Sequence, residues 1–231
     1  MDYLLFTGSS VIEYFSVFML MFALFRFDIM ERLITTIIVC VMMSQVSYIT
    51  RLSEDIGDLS SYIQLVVMMF VLWLLFKVPW YYSILMNFVG FIVGFVVQGA
   101  VLITLNSTGL PMKAVQQSST LTALVILLTA FLVVAIARTI VLLNLGFDFV
   151  PPDRRAYVPV TGLNALILAS IITTLTAAVI AALVLRNNYT EYAIVASALF
   201  AVTTPFLIYY SVRKDRYNDG KAAKDSGRTP R

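Results

Sequence analysis

The chain has 231 residues, of which 60% are hydrophobic and 13% are charged, with a mean hydropathy of +0.90 and a formal net charge of +3. Soluble domains average about 45–50% apolar and about 25% charged residues, so this composition excludes an ordinary soluble globular protein. It predicts an all-α transmembrane helix bundle, with little sequence left for a soluble catalytic domain.

Long apolar stretches divide the chain into predicted membrane spans. A hydrocarbon core about 30 Å thick needs roughly 20 apolar residues in a helix. The seven spans are predicted at Val11–Phe27, Leu33–Thr50, Ser61–Phe76, Trp80–Leu105, Leu121–Leu145, Val160–Leu185 and Tyr192–Val212. Spans three and four could merge, but we expect a turn at Lys77-Val78-Pro79, because proline disfavours helix at the preceding residue and has no N–H to donate.

The first span contains one carboxylate. Glu13 follows Ser10 in the S-x-x-E order of a capping box, which would place it in the first helical turn near the outer interface. A buried site for a proton or a cation is the alternative interpretation. Asp28 and Glu31 repeat the capping pattern at the start of span two. Arg138 lies in the fifth span, close enough to the cytoplasmic side for its guanidinium to reach water.

A polar stripe on the fourth span is the strongest candidate for a ligand cavity. Its residues share one helix face: Ser83, Asn87, Gly90, Gly94 and Gln98. The two glycines form a G-x-x-x-G pair that favours helix packing. Amides in hydrocarbon need partners, so this face should meet other helices or a watery cavity. The further candidates on other spans are Gln45, Gln64, Asn164 and Glu13.

Small residues dominate span six. One series recurs every fourth residue: Ala165, Ala169, Thr173, Ala177 and Ala181; a second runs beside it: Ser170, Thr174, Ala178 and Ala182. Small residues at this spacing let another helix approach closely. Span seven offers a partner face at Ala193, Ser197 and Ala201, and Pro205 should kink that span. We expect helix packing within the chain, with a dimer interface as the alternative.

The basic residues predict the orientation. With the N-terminus outside, thirteen of the sixteen Lys and Arg residues fall on the cytoplasmic side, and only Arg51, Lys113 and Arg186 fall outside. This asymmetry predicts a multi-pass protein of the cell membrane, N-out and C-in. Residues 1–212 form the transmembrane domain, with possible sub-bundles 1–105 and 119–212. The basic tail, 213–231, should be disordered and cytoplasmic.

Catalytic motifs are absent from the sequence. Without histidine it lacks the usual zinc sites and the Ser–His and Cys–His nucleophile pairs. It contains no phosphate-binding P-loop and no G-x-G-x-x-G motif, and its single cysteine, Cys40, has no partner. We therefore expect no enzyme activity, no metal, no cofactor and no nucleic-acid partner. The expected partners are the lipid bilayer and another membrane protein or a second copy of the chain.

The segment Leu75–Leu85, with the sequence LFKVPWYYSIL, resembles a cytoplasmic turn in the membrane sensor region of Gram-positive peptide-sensing receptor histidine kinases, the accessory gene regulator type. The resemblance covers about the first four spans, and the outside N-terminus, the short loops and the basic exit at Tyr209–Asp215 are further shared features. The kinase domains would have to follow Arg213, where only 18 residues remain. The resemblance therefore implies a sensor module that signals through a separate protein.

Three functional hypotheses follow. The first is a receptor-like or regulatory protein that senses an external peptide, lipid or partner helix. Its outer mouth would consist of Glu13, Arg51, Glu54, Asp55 and Lys113, above the polar stripe. The second is a transporter or permease subunit, with Asn87, Gln98, Gln45 and Asn164 lining the path. The third is a non-catalytic scaffold or assembly subunit.

Overall fold

A computed structural model describes residues 3–52, 59–110, 112–147, 162–185 and 189–225, except for the side chains at 112–113, 116, 189–190 and 215–225. The described residues form eight α-helices, joined by short connections. These are α1 Tyr3–Leu24, α2 Leu33–Leu52, α3 Ser60–Leu74, α4 Trp80–Ser107, α5 Met112–Gln117, α6 Ser119–Leu142, α7 Leu163–Val184 and α8 Tyr189–Asp225. A 3₁₀ turn, Met30–Arg32, precedes α2.

The long helices follow the predicted spans in order, so the all-α helical bundle is confirmed. Six of them, α1, α2, α4, α6, α7 and α8, are long and apolar enough to cross a membrane. Helix α3 has 15 residues, which corresponds to a length of about 22 Å against a hydrocarbon core of about 30 Å. The short helix α5 was not predicted.

The turn between α3 and α4 is confirmed. Lys77 adopts a left-handed backbone conformation, with φ of 57°, and Pro79 is the residue before the first turn of α4. The Val78 amide donates to the Leu72 carbonyl at 3.2 Å. The Ser83 hydroxyl donates to the carbonyls of Val78 and Pro79, both at 3.2 Å. Ser83 therefore stabilises this turn.

Two helices extend beyond the predicted spans. Helix α8 continues past Val212 to Asp225, into the segment for which the sequence predicts disorder. Helix α1 begins at Tyr3 rather than Val11, which puts Glu13 about 15 Å along a helix of about 33 Å. Ser10 is buried inside the same helix. The capping-box interpretation of Glu13 is therefore wrong. At the capping pattern predicted before span two, the Asp28 carboxylate accepts a hydrogen bond from the Met30 amide at 2.8 Å.

The core is aromatic where α1, α3 and α4 meet. The Phe76 ring lies 5.3 Å from that of Phe18 and 5.5 Å from that of Phe22. On the other side of α4, the Phe200 ring of α8 lies 5.0 Å from Phe95 and 5.6 Å from Phe91. Such tilted and edge-to-face pairs add to the stabilisation from burial. They hold the turn between α3 and α4 against α1, and α4 against α8.

The first and second halves of the chain pack against each other. Leu20 of α1 shares a buried cluster with Val133 and Ala137 of α6. Just after α6, the Phe147 amide donates to the Leu24 carbonyl at 2.6 Å. Contacts therefore cross the boundary between the predicted sub-bundles 1–105 and 119–212.

The buried face of α7 is the second of the two small-residue series. Ala178, Ala182 and Thr174 are buried with Ile167 and Ile171, because that face also carries the isoleucines and so buries more apolar surface. The first series is turned outward: Ala169 and Thr173 are exposed, and Ala177 and Ala181 are half-buried.

Helix α8 provides the partner face for α7. The Thr203 hydroxyl lies 3.3 Å from that of Thr174. Of the predicted partner residues, Ala193 and Ser197 are buried and Ala201 is exposed. Pro205 lies inside α8 and is exposed.

Candidate functional site

A cavity of about 510 Å³ lies among the helices, within the size range of small-molecule sites. It is at the end of the bundle where α1 begins, because its lining includes Arg51 near the end of α2, Ser60 at the start of α3 and Tyr192 near the start of α8. Along α4 its lining extends from Asn87 to Leu102, a rise of about 22 Å. The cavity therefore reaches deep into the bundle.

The glycine pair of α4 shows how α1 and α4 are aligned beside the cavity. A Cβ atom on Gly90 would lie 2.7 Å from Met21 Cγ, and one on Gly94 would lie 3.7 Å from Val17. Helices α1 and α4 are thus antiparallel and closest near Gly90. Gly94 faces Val17. One helical turn towards the cavity mouth leads from Gly94 to Gln98 on α4 and from Val17 back to Glu13 on α1, so Gln98 lies level with Glu13. Both residues line the cavity.

Two oppositely charged residues line the cavity. Glu13 is half-buried, in the middle of α1, and ionisable groups at such depth normally have a function. Arg51 is exposed, and its guanidinium lies 5.3 Å from the centre of the Phe6 ring. The two charges interact electrostatically. In the part of the chain that the structure describes, no side chain forms a hydrogen bond or ion pair with the Glu13 carboxylate.

A polar network joins the three helices beside the cavity. The Tyr14 hydroxyl of α1 donates to Gln64 Oε1 of α3. Gln64 Nε2 donates to the hydroxyls of Ser47, at 3.0 Å, and Ser60, at 2.7 Å. Ser60 Oγ also lies 2.5 Å from Thr50 Oγ1 of α2. The Gln64 amide is therefore committed to structure, although it lines the cavity.

Helix α3 is also tied to α4 and α8. Asn87 Nδ2 of α4 donates to the Leu65 carbonyl, and Asn87 is buried. The hydroxyls of Tyr62 and Tyr192 lie 3.0 Å apart. Gln98 differs from Asn87, because its half-buried side chain forms no hydrogen bond to any described residue. Within the predicted stripe, Asn87 thus connects helices, and Gln98 is the amide available to a ligand.

The structure brings four of the seven predicted cavity residues together: Glu13, Gln64, Asn87 and Gln98 line the cavity, as do Gly90 and Gly94. The other three are not part of its lining. Ser83 stabilises the turn before α4, Gln45 accepts a hydrogen bond from Tyr3 at 2.7 Å, and the Asn164 carbonyl accepts one from Tyr81 at 3.2 Å.

The predicted outer mouth is described only in part. Glu13 and Arg51 belong to the cavity, whereas Glu54 and Asp55 lie outside the described residues, as does the side chain of Lys113. The aromatic part of the lining was not predicted from the sequence; it consists of Tyr14, Phe91, Phe95 and Tyr192. The first four spans are rich in aromatic residues throughout, so composition did not single out Tyr14, Phe91 or Phe95, and Tyr192 lies at the start of the seventh span.

The lining combines charged, polar and aromatic groups. One carboxylate, one guanidinium, amides, hydroxyls and aromatic rings face the same space. No group of three or more metal-ligating side chains occurs among the residues that the structure describes. No protein-family model, curated protein or solved structure matches the chain.

Proposed function

We propose that this protein is a receptor-like or regulatory protein of the cell membrane that binds an external ligand in the cavity and signals through a separate protein. The observation that carries the proposal is that Glu13 and Gln98 lie level in the cavity and have no hydrogen-bond partner among the described side chains. Polar groups buried in hydrocarbon are costly unless they are paired. A ligand would supply the missing partner.

The distribution of basic residues supports access from outside. The positive-inside asymmetry favours seven spans with an external N-terminus, and the cavity lies at the end of the bundle where α1 begins. In this orientation an external ligand reaches the cavity directly. The turn at Lys77, the basic residue Arg213 and the exit from α8 then face the cytoplasm.

Helix α8 supports signalling, because it touches both ends of the bundle. Tyr192 lines the cavity and meets Tyr62. Near the opposite end, the Lys214 ammonium lies 4.6 Å and 4.4 Å from the ring centres of Tyr81 and Tyr82. A ligand that favours one position of α8 changes the population of that position. The similarity of this exit to the accessory gene regulator sensors, in which a basic segment follows the last span, fits the same role.

Native mass spectrometry of the protein released from its own membranes tests the proposal. We expect a bound small molecule on the parent chain and on Gln45→Leu, and its loss from Gln98→Leu. The two changes are chemically identical, but only Gln98 lines the cavity. Equal occupancy in Gln98→Leu and the parent, or no bound molecule on any of the three, would refute ligand binding at this site.

Transport is the second candidate, and the position of Glu13 favours it. Carboxylates in the middle of a membrane helix often mark proton or ion pathways. Proteoliposomes that contain the purified protein distinguish the two functions. Flux of a solute that Glu13→Gln abolishes would establish transport, whereas ligand binding without flux would leave the receptor-like function.

A further inference from the structure

The charges in the cavity are separated rather than paired. Arg51 stacks at the level of Phe6, which lies about 10 Å from Glu13 along α1. Neither Glu13 nor Arg51 forms an ion pair with any residue in the described part of the chain. The cavity thus presents a half-buried negative charge below and an exposed positive charge near its mouth.

We propose that the ligand of this cavity is zwitterionic, with its cationic group at Glu13 and its anionic group at Arg51. The inference rests on the proposed function and specifies its ligand. The ligand would make a contact of about 4 Å with each charged side chain. These two contacts and the few ångströms between the two charges of a zwitterion together span the distance between Glu13 and Arg51. A purely cationic ligand would leave Arg51 without an anionic partner among the described residues, and a purely anionic ligand would meet repulsion from Glu13.

The part of the cavity lining that surrounds Glu13 and the rings that line the same cavity suit a cation. Gln98 lies level with it and offers an amide oxygen. The aromatic side chains of Phe91, Phe95 and Tyr192 also line the cavity, and the rings of Phe95 and Tyr192 meet edge to face at 6.3 Å. Aromatic faces attract ammonium groups, most strongly where water is excluded. The carboxylate and the rings together favour a substituted ammonium.

At the mouth of the cavity, Arg51 suits an anionic group. Arginine presents several N–H donors in a planar fork, which suits a carboxylate or a phosphate. Arg51 is exposed, so an anion there remains partly hydrated, and desolvation costs little. The shared chemistry is therefore an ammonium joined to a phosphate or carboxylate. Both a lipid headgroup and a water-soluble molecule can carry it.

Calorimetric titration of the purified protein in neutral maltoside micelles tests the inference with four probes. Hexylphosphocholine is zwitterionic, hexyltrimethylammonium is cationic, hexyl phosphate is anionic, and phosphocholine lacks the chain. We expect hexylphosphocholine to bind about tenfold tighter than either singly charged hexyl probe, because charge-assisted contacts are worth roughly 1.4 kcal/mol or more. Phosphocholine that binds as tightly would identify a water-soluble ligand, and dependence on the chain would identify a lipid headgroup.

Variants then assign each charge. Glu13→Gln should weaken the binding of hexylphosphocholine and hexyltrimethylammonium about tenfold and leave hexyl phosphate no weaker. Arg51→Gln should weaken hexylphosphocholine and hexyl phosphate and leave hexyltrimethylammonium no weaker. Arg138→Gln is the matched control, because Arg138 is exposed on α6 and outside the cavity lining. Glu13→Asp, which keeps the charge, should retain the order of the probes.

Equal affinity for the three hexyl probes, or an order that neither Glu13→Gln nor Arg51→Gln changes, overturns the zwitterion. Size-exclusion profiles that match the parent show that these variants are folded. The proposed function can survive this failure, since Gln98→Leu would still lose the native ligand. Loss of both results would refute the receptor-like function as well.

Discussion

Replacing Gly90 with alanine should lower stability, whereas the same change at Gly94 should not. A Cβ atom on Gly90 would lie 2.7 Å from Met21 Cγ and 3.2 Å from a Val17 methyl group. Met21 is fully buried, so it cannot move aside without displacing its own neighbours. At Gly94 the nearest atom is 3.7 Å away, which is ordinary contact, and at Gly8 nothing lies within 4 Å.

The magnitude follows from two opposing effects. Alanine is favoured over glycine inside a helix by about 1 kcal/mol, and this gain applies at all three positions. Overpacking a buried site costs about 1–3 kcal/mol, and only Gly90 incurs it. Gly90→Ala should therefore be about 1–3 kcal/mol less stable than Gly94→Ala, while Gly8→Ala and Gly94→Ala should equal or exceed the parent.

Equilibrium unfolding in mixed micelles titrated with sodium dodecyl sulfate measures these differences. The chain contains two tryptophans, Trp73 and Trp80, which flank the turn between α3 and α4 and report on its packing. A Gly90→Ala variant that is as stable as Gly94→Ala would show that α1 and α4 do not approach as described, and the shared level of Glu13 and Gln98 would lose its basis.

Three further predictions concern polar contacts. Asn87→Leu should lower stability by about 0.5–1.5 kcal/mol, because the hydrogen bond from Asn87 to the Leu65 carbonyl is lost. Gln98→Leu should not lower stability. The same titration measures both variants, and equal losses would contradict the separate roles of the two amides. Tyr14→Phe should cost about 0.5–1 kcal/mol through its bond to Gln64, and no change in the unfolding midpoint would show that this contact contributes nothing. Lys214→Met should destabilise the chain by about 0.5–2 kcal/mol. Lys214→Arg should destabilise it less, because arginine can keep the contact with the rings of Tyr81 and Tyr82. The reverse order in the same titration would argue against cation–π stabilisation.

The positions of the long helices could be predicted from the sequence. Apolar length defines each helix, and the proline after Lys77 separates α3 from α4. The start of α1 could not be predicted, because residues 3–10 contain serine, threonine and glycine. In the structure the Ser9 hydroxyl donates to the Leu5 carbonyl at 2.9 Å, which lets serine lie inside a helix. Ser10 lies inside the same helix, although its S-x-x-E spacing resembles a cap.

The sequence predicted only which residues of the candidate site share a face of α4, not what each residue contacts. The spacing of Asn87 and Gln98 places both on one side of α4, but their roles depend on which atoms lie opposite. Asn87 faces the Leu65 carbonyl of α3, and Gln98 faces the cavity. The depth of Glu13 depends on where α1 begins. On α7, spacing alone could not decide between two adjacent series, because both consist of small residues.

The shortness of α3 affects the lipid and water around the bundle. A helix of about 22 Å cannot cover a hydrocarbon layer of about 30 Å, so either the bilayer thins beside it or solvent fills the gap. Ser60, Ser61 and Gln64 lie at its first turns and line the cavity, and these side chains favour hydration at that end. Water that enters there approaches the middle of α1, where Glu13 lies, without crossing hydrocarbon.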